Sequence, residues 1–172
     1  DPDKAAEGAV GACFSSAGQL CVSIERLYVA DKNYDAFKKA FVEKVAAMKL
    51  GSELEFGPDM GSLVSQSQLE TITKHVADAE ANGATVLTGG KARPDLGPFF
   101  FEPTVLEGVT QAAACYADET FGPLVSLYRF TTEDEAVALA NQGEYGLNAS
   151  IFGNVGRARE LGGRIKAGTV NI

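Results

Sequence analysis

Helical and strand-like stretches take turns along this chain from end to end, and few folds accommodate that order. Residues 3 to 14 are rich in Ala and read as a helix. A strand from Arg26 to Ala30 follows, closed by Asp31 as the expected N-cap of a helix reaching about Met48. That helix sets Tyr34, Phe37, Phe41, Val45 and Met48 on one face, with Lys38, Lys39, Glu43 and Lys44 outside, so the aromatic stripe belongs to a core. After the turn-rich stretch Gly57 to Gly61, Ser65 and Gln68 form a capping-box start for a helix with Leu69, Ile72, Val76 and Ala79 inward, ending at Asn82-Gly83. Short extended runs come next, Thr85 to Leu87 and Phe99 to Leu106, with Pro103 suited to an edge or a strand start. Cys115 to Gly122 reads as a loop, Pro123 to Phe130 as a strand, and Thr132 to Glu135 as a second capping box. Strand Leu147 to Phe152, helix Val155 to Lys166 and strand Thr169 to Ile172 then complete a β-α-β unit. Strands of largely apolar content between helices imply an α/β fold: a mostly parallel twisted sheet with helices on both faces and right-handed crossovers.

Composition narrows the chemistry. A net charge of −8 argues against nucleic acid and against anionic membrane surfaces as partners. No apolar run approaches a membrane span, and the N-terminus, Asp1-Pro2-Asp3-Lys4, enters a helical pattern with no signal-peptide character. Three cysteines without a C-x-x-C pair, and a single histidine, fit a reducing compartment and give no metal site, so a cytoplasmic protein is expected. Gly89-Gly90 lacks the spacing of a phosphate-binding loop and reads as a turn. His75, beside Val76 on the third helix, has no ligand partner at a useful spacing and reads as a partly exposed helical residue. The first residue is not Met and the last lie within a strand pattern, from which a piece of a longer protein is expected.

Two short stretches stand out against this background. One is Ser15-Ser16-Ala17-Gly18-Gln19-Leu20-Cys21, which places a cysteine between a helix and a strand, where a thiolate can stay open to a cleft. An unpaired cysteine is more often a small buried hydrophobe. The other stretch, about a hundred residues later, is Asp118-Glu119-Thr120-Phe121-Gly122-Pro123-Leu124. By themselves Glu119 would be a solvated loop carboxylate and Phe121 a core anchor after a turn. Cys13 and Cys115 lack the Gly-Gln context and read as structural thiols.

Together the two stretches resemble the aldehyde dehydrogenase superfamily, which carries G-Q-x-C at its nucleophile and E-x-F-G-P in its cofactor cleft. The resemblance runs on through Asn82-Gly83-Ala84, Gly89-Gly90, Phe101 to Leu106, Asn141 with Tyr145-Gly146-Leu147, and Ala167 to Asn171. Within the superfamily, Phe14 to Arg26 and the ending Gly168 to Ile172 are most similar to bacterial NADP-dependent succinate-semialdehyde dehydrogenases.

The resemblance implies that residues 1–172 are a catalytic, thiol-bearing domain whose cofactor-binding domain lies elsewhere, in a parent protein that is a homo-oligomer. It makes Cys21 the nucleophile that adds to a small-molecule aldehyde, giving a thiohemiacetal and then a thioester. It makes Glu119 the carboxylate that hydrogen-bonds the nicotinamide ribose, and Phe121 the aromatic beside the nicotinamide, with NADP or NAD as cofactor. The oxyanion-binding Asn and the base Glu of the family belong to sequence upstream, so the piece alone is expected to be inactive. One departure concerns the substrate: animal-type succinate-semialdehyde dehydrogenases have an Arg six residues before the nucleophile, where this sequence has Ser15. A grip on a substrate carboxylate would have to come from elsewhere; Arg26 and Arg129 read as solvent or sheet-end charges. The alternatives are a CoA-acylating relative using the same thiol, a Cys-His hydrolase with His75 as base, and a non-catalytic α/β binding module.

Overall fold

A computed structural model describes residues 1–53 and 56–172. Its elements are α1 (Pro2–Phe14), β1 (Arg26–Ala30), α2 (Asp31–Ala46), α3 (Gln66–Ala81), β2 (Thr85–Thr88), β3 (Thr104–Glu107), β4 (Leu124–Phe130), α4 (Glu133–Ala140), β5 (Asn148–Ser150), α5 (Val155–Gly162) and β6 (Thr169–Asn171). Four strands form the main sheet in the order β1-β4-β3-β2. β4 pairs in parallel with β1 and with β3, while β2 runs antiparallel along the outer edge of β3. β3 starts directly after Pro103, which therefore interrupts no ladder.

Residues 104–106 of β3 and 124–127 of β4 are buried without a break. Because successive strand side chains point to opposite faces, such a run requires cover on both sides of the sheet. α2 supplies much of it, packing on β1, β2 and β4 and, across its other flank, on α1. Its buried stripe is Tyr34, Phe37, Phe41 and Val45, with Met48 half-buried beyond the helix end. Phe41 stacks on Phe37 at 5.4 Å and on Phe14 of α1 at 6.2 Å between ring centroids.

Three local expectations are corrected. Asp31 is not an N-cap: β1 runs into α2 without a loop, Ala30 takes the cap position with no side-chain bond, and Asp31 falls in the first turn. Its carboxylate pairs with Arg129, whose other arm bonds Asp35 at 2.9 Å and whose guanidinium covers the Tyr34 ring at 4.1 Å. Ser65 does cap α3, accepting from the Gln68 N–H at 3.2 Å, but the Gln68 side chain does not return to Ser65. Thr132 likewise caps α4 through the Glu135 N–H, and the Glu135 carboxylate reaches one residue further back, to the N–H and hydroxyl of Thr131.

The final β-α-β unit forms, with β5 and β6 parallel, but as a separate two-stranded sheet. Each strand is only three residues long, and an open cleft of about 2220 Å³, lined by Leu27, Tyr28 and Val29 on one side and Ala149 and Ile151 on the other, lies between this unit and β1. Polar ties hold the unit to α4 and its C-terminal turn. Asn141 donates to the Arg164 carbonyl at 2.9 Å and accepts from the Lys166 N–H at 2.7 Å. Arg157 pairs with Glu133, and Arg164 with Asp134 at 2.7 Å.

Candidate active site

The first wall of the site is the segment that leaves α1. Three consecutive residues, Ser16, Ala17 and Gly18, take positive φ (52, 56 and 69°). L-residues avoid that region, so the bend is held from outside. Gln19 supplies one restraint: its Oε1 accepts from the Val64 N–H at 2.8 Å, and its Nε2 donates to the Ser16 carbonyl at 3.1 Å. Beyond it, the Ser23 N–H closes a turn onto the Leu20 carbonyl at 2.9 Å, and the Ser23 hydroxyl donates to the Cys13 carbonyl at 3.0 Å. Cys21 rides on that turn, exposed, and lines the open cleft. The other two thiols are buried. Burial pushes the Cys115 thiol up to about 11, with nearby Asp78 adding to the effect, and burial likewise drives the Cys13 thiol far above its usual range. Neither can supply thiolate near neutral pH.

The second wall is the loop before β4. Thr120 is 2 % exposed and every polar group on it is engaged. Its N–H and that of Phe121 both donate to the Glu25 carboxylate, at 3.0 and 2.9 Å. The carbonyls of the same two residues accept from Gln68 Nε2, at 2.6 and 2.9 Å. The Thr120 hydroxyl meets His75 Nδ1 at 3.0 Å. His75 is thus buried rather than partly exposed, on the inward side of α3 between Ile72 and Ala79. Burial lowers its pKa, against the opposing pull of Asp118 and Asp78. It does not line the cleft, so it offers no base to Cys21.

The walls touch. A methyl group on Gly18 would stand 2.2 Å from the Gly122 carbonyl oxygen, so the Gly-Gln-Leu-Cys segment and the Glu-Thr-Phe-Gly-Pro loop abut backbone to backbone. Glu119, exposed, lines the same cleft as Cys21, and its N–H reaches the Tyr145 hydroxyl at 3.4 Å. Phe121 is half-buried with φ 50° and does not line that cleft. Glu25 is the residue that sequence reasoning missed, and Gln68 the one it misassigned. Glu25 looks like any carboxylate at a strand entrance, and Gln68 sits three residues after a Ser, the spacing of a capping box.

The arrangement presents one exposed thiol, Cys21, to a wide cleft whose lining also carries the exposed carboxylates of Asp118 and Glu119. Among the described residues, no group of three or more His, Cys, Asp or Glu side chains is placed to hold a metal ion. No helix among them is long and apolar enough to cross a membrane. Gly89 and Gly90, expected as a turn, are irregular backbone after β2 with φ 76 and 88°, and the Gly90 N–H donates to the Thr104 hydroxyl at 2.9 Å.

A family model described as "Aldehyde dehydrogenase family" matches residues 1–172. The chain is 53 % identical over 171 residues to a Mycobacterium ulcerans protein named "putative succinate-semialdehyde dehydrogenase 2, NADP(+)", covering 99 % of this chain and 33 % of that one. It is 40 % identical to succinate-semialdehyde dehydrogenase from Burkholderia pseudomallei, whose crystal structure superposes with a TM-score of 0.94 over 100 % of this chain and 36 % of the other. Betaine aldehyde dehydrogenase from Staphylococcus aureus, solved in complex with NAD+, is 35 % identical with a TM-score of 0.95, over 100 % of this chain and 35 % of that enzyme. The chain therefore spans about a third of the length of the relatives it matches.

Proposed function

The chain belongs to the aldehyde dehydrogenase family, and from that premise we propose that residues 1–172 form the thiol-bearing catalytic domain of a longer cytoplasmic enzyme that oxidises succinate semialdehyde to succinate with NADP or NAD. The observation that carries the reading is the pairing of one exposed thiol, Cys21, with the Glu119 carboxylate on the walls of a single cleft.

The chemistry follows from those groups. Deprotonated Cys21 adds to the aldehyde carbon; a C–S bond forms and the carbonyl π pair moves to oxygen, giving a thiohemiacetal oxyanion. The backbone N–H of Cys21 is one donor to that oxygen, and an Asn side chain from outside residues 1–172 is the other in the family's pattern. The nicotinamide, when bound, supplies the acceptor for the hydride that leaves this carbon. With the cofactor bound, Glu119 would accept from the ribose hydroxyls and so hold the nicotinamide near the sulfur; the family's pattern gives Phe121 the place beside that ring, whereas here Phe121 is half-buried and does not line the cleft. Water, whose proton passes to a Glu outside residues 1–172 in the family's pattern, then attacks the thioester, and Cys21 leaves as thiolate, a good leaving group. Ser15, which stands where animal-type enzymes carry an Arg, donates to the Gly11 carbonyl at 2.7 Å and offers no cation to the substrate.

The test uses the full-length protein. With succinate semialdehyde and NADP, reduced cofactor should form without CoA, and Cys21→Ala should remove turnover while cofactor affinity stays nearly unchanged. Residues 1–172 alone should show weak or no turnover. Turnover that survives Cys21→Ala, or that requires CoA, would overturn the proposal.

A further inference from the structure

Thr120 and Phe121 are held more tightly than a surface loop requires. Phe121 adopts φ 50°, a left-handed conformation that non-glycine residues avoid and that persists only where the surroundings over-determine it. The over-determination comes from two side chains that grip the same two residues: Glu25 takes both N–H groups and Gln68 takes both carbonyls. Gln68 belongs to the start of α3. Glu25 lies four residues after Cys21, on the same continuous stretch that carries the thiol into β1. Its carboxylate is half-buried and therefore committed to these partners.

We propose that Glu25 is a positioning residue that carries the placement of the thiol segment across to Glu119, so that sulfur and ribose-binding carboxylate keep a fixed separation across the cleft. The inference rests on the reading of Cys21 and Glu119 given above. The covalent path from Cys21 to Glu25 is short, the two charged hydrogen bonds fix the peptide immediately after Glu119, and the Gly18–Gly122 contact blocks the loop from sliding inward. The Glu25 carboxylate faces Glu119 and Arg26; burial raises its pKa and the two N–H bonds draw it back down. An acceptor-only carboxylate suits the task, because an amide in its place turns one donor toward a backbone N–H.

The experiment is a double-mutant cycle on the full-length enzyme, with Glu25→Gln and Glu119→Gln singly and together. The readouts are the single-turnover hydride-transfer rate, the NADP KM, and the rate at which iodoacetamide alkylates Cys21 without cofactor. Glu25→Gln should lower hydride transfer about tenfold, the scale of a lost charged hydrogen bond, and raise the NADP KM. That loss should shrink to less than about twofold in the Glu119→Gln background, with alkylation of Cys21 unchanged in every variant. A merely structural Glu25 would give the same tenfold loss in both backgrounds, or slow alkylation as well, and either result overturns the inference. So does a Glu25→Gln enzyme that matches wild type. A normal hydride-transfer rate in Glu119→Gln alone would instead remove the reading of Glu119 on which the inference rests. Should Glu25→Gln not fold, Glu25→Asp, which keeps the charge one methylene short, enters the same cycle with the same criteria.

Discussion

Gly18 and Gly122 meet backbone to backbone, and Gly18 does so at φ 69°. Two separate requirements therefore fall on one residue: a left-handed conformation, and no side chain where the Gly122 carbonyl oxygen lies. Either alone favours glycine; together they exclude everything else.

Gly18→Ala should therefore destabilise the fold by roughly 2–4 kcal/mol, the range of strain at a special backbone position combined with a steric clash. Thermal or urea unfolding of the variant against wild type measures it. The full-length variant, assayed below its melting temperature, should also lose turnover, because relief of the clash moves the loop away from the thiol.

Alkylation distinguishes the three cysteines. Brief treatment of folded protein with iodoacetamide should label Cys21 and spare Cys13 and Cys115, which are buried and whose thiols resist ionisation. Peptide mass spectrometry reads the sites directly. Equal labelling of all three would mean the core is open.

Gln68→Ala leaves the carbonyls of Thr120 and Phe121 without their donor. The expected cost is about 1–3 kcal/mol, that of under-satisfied buried acceptors, and unfolding curves test it. A Ser65→Ala variant should lose only a helix cap, about 1 kcal/mol, so the larger loss belongs to Gln68 although both residues serve one helix start.

His75 gives the fold an acid-sensitive point. Its folded pKa lies below the ordinary histidine value near 6.5, chiefly through burial. The unfolded chain therefore takes up the proton first. The stability tied to neutral His75 is complete above about pH 6.5 and drains away as pH falls from there through the depressed value. Melting temperature plotted against pH should fall less steeply over that window in His75→Gln than in wild type. Parallel curves would mean that His75 does not titrate between the two states.

Much of this was legible in the sequence, because periodicity and turn chemistry act locally. The aromatic face of α2 and most of the inward face of α3 follow from spacing. Four features were not legible, and three of them depend on a partner distant in the chain. Gln68 had a satisfactory local use as a box partner, and only the loop 52 residues further on competes for it. His75 fits an amphipathic helix equally well buried or exposed until Thr120 is known to face it. Asp31 would cap α2 if a loop intervened after β1, and none does. Glu25 carries no signature, since its ligands are two backbone N–H groups 95 and 96 residues away. The closeness of Cys21 to the Glu119 loop is likewise a tertiary fact that the motifs suggested only by their family likeness.

The attachment of the β5-α5-β6 unit has its own consequence. The unit buries Ala158 fully and little else, leaves Tyr145, Leu147, Phe152 and Val155 facing water, and is moored largely through Asn141 and the arginine pairs of Arg157 and Arg164. The arginine pairs among these moorings weaken as counterions accumulate, whereas the interior of the four-stranded sheet is indifferent to them. In heavy water the peptide groups from Asn148 to Asn171 would therefore take up deuterium well ahead of β3 and β4, and concentrated salt would widen the gap.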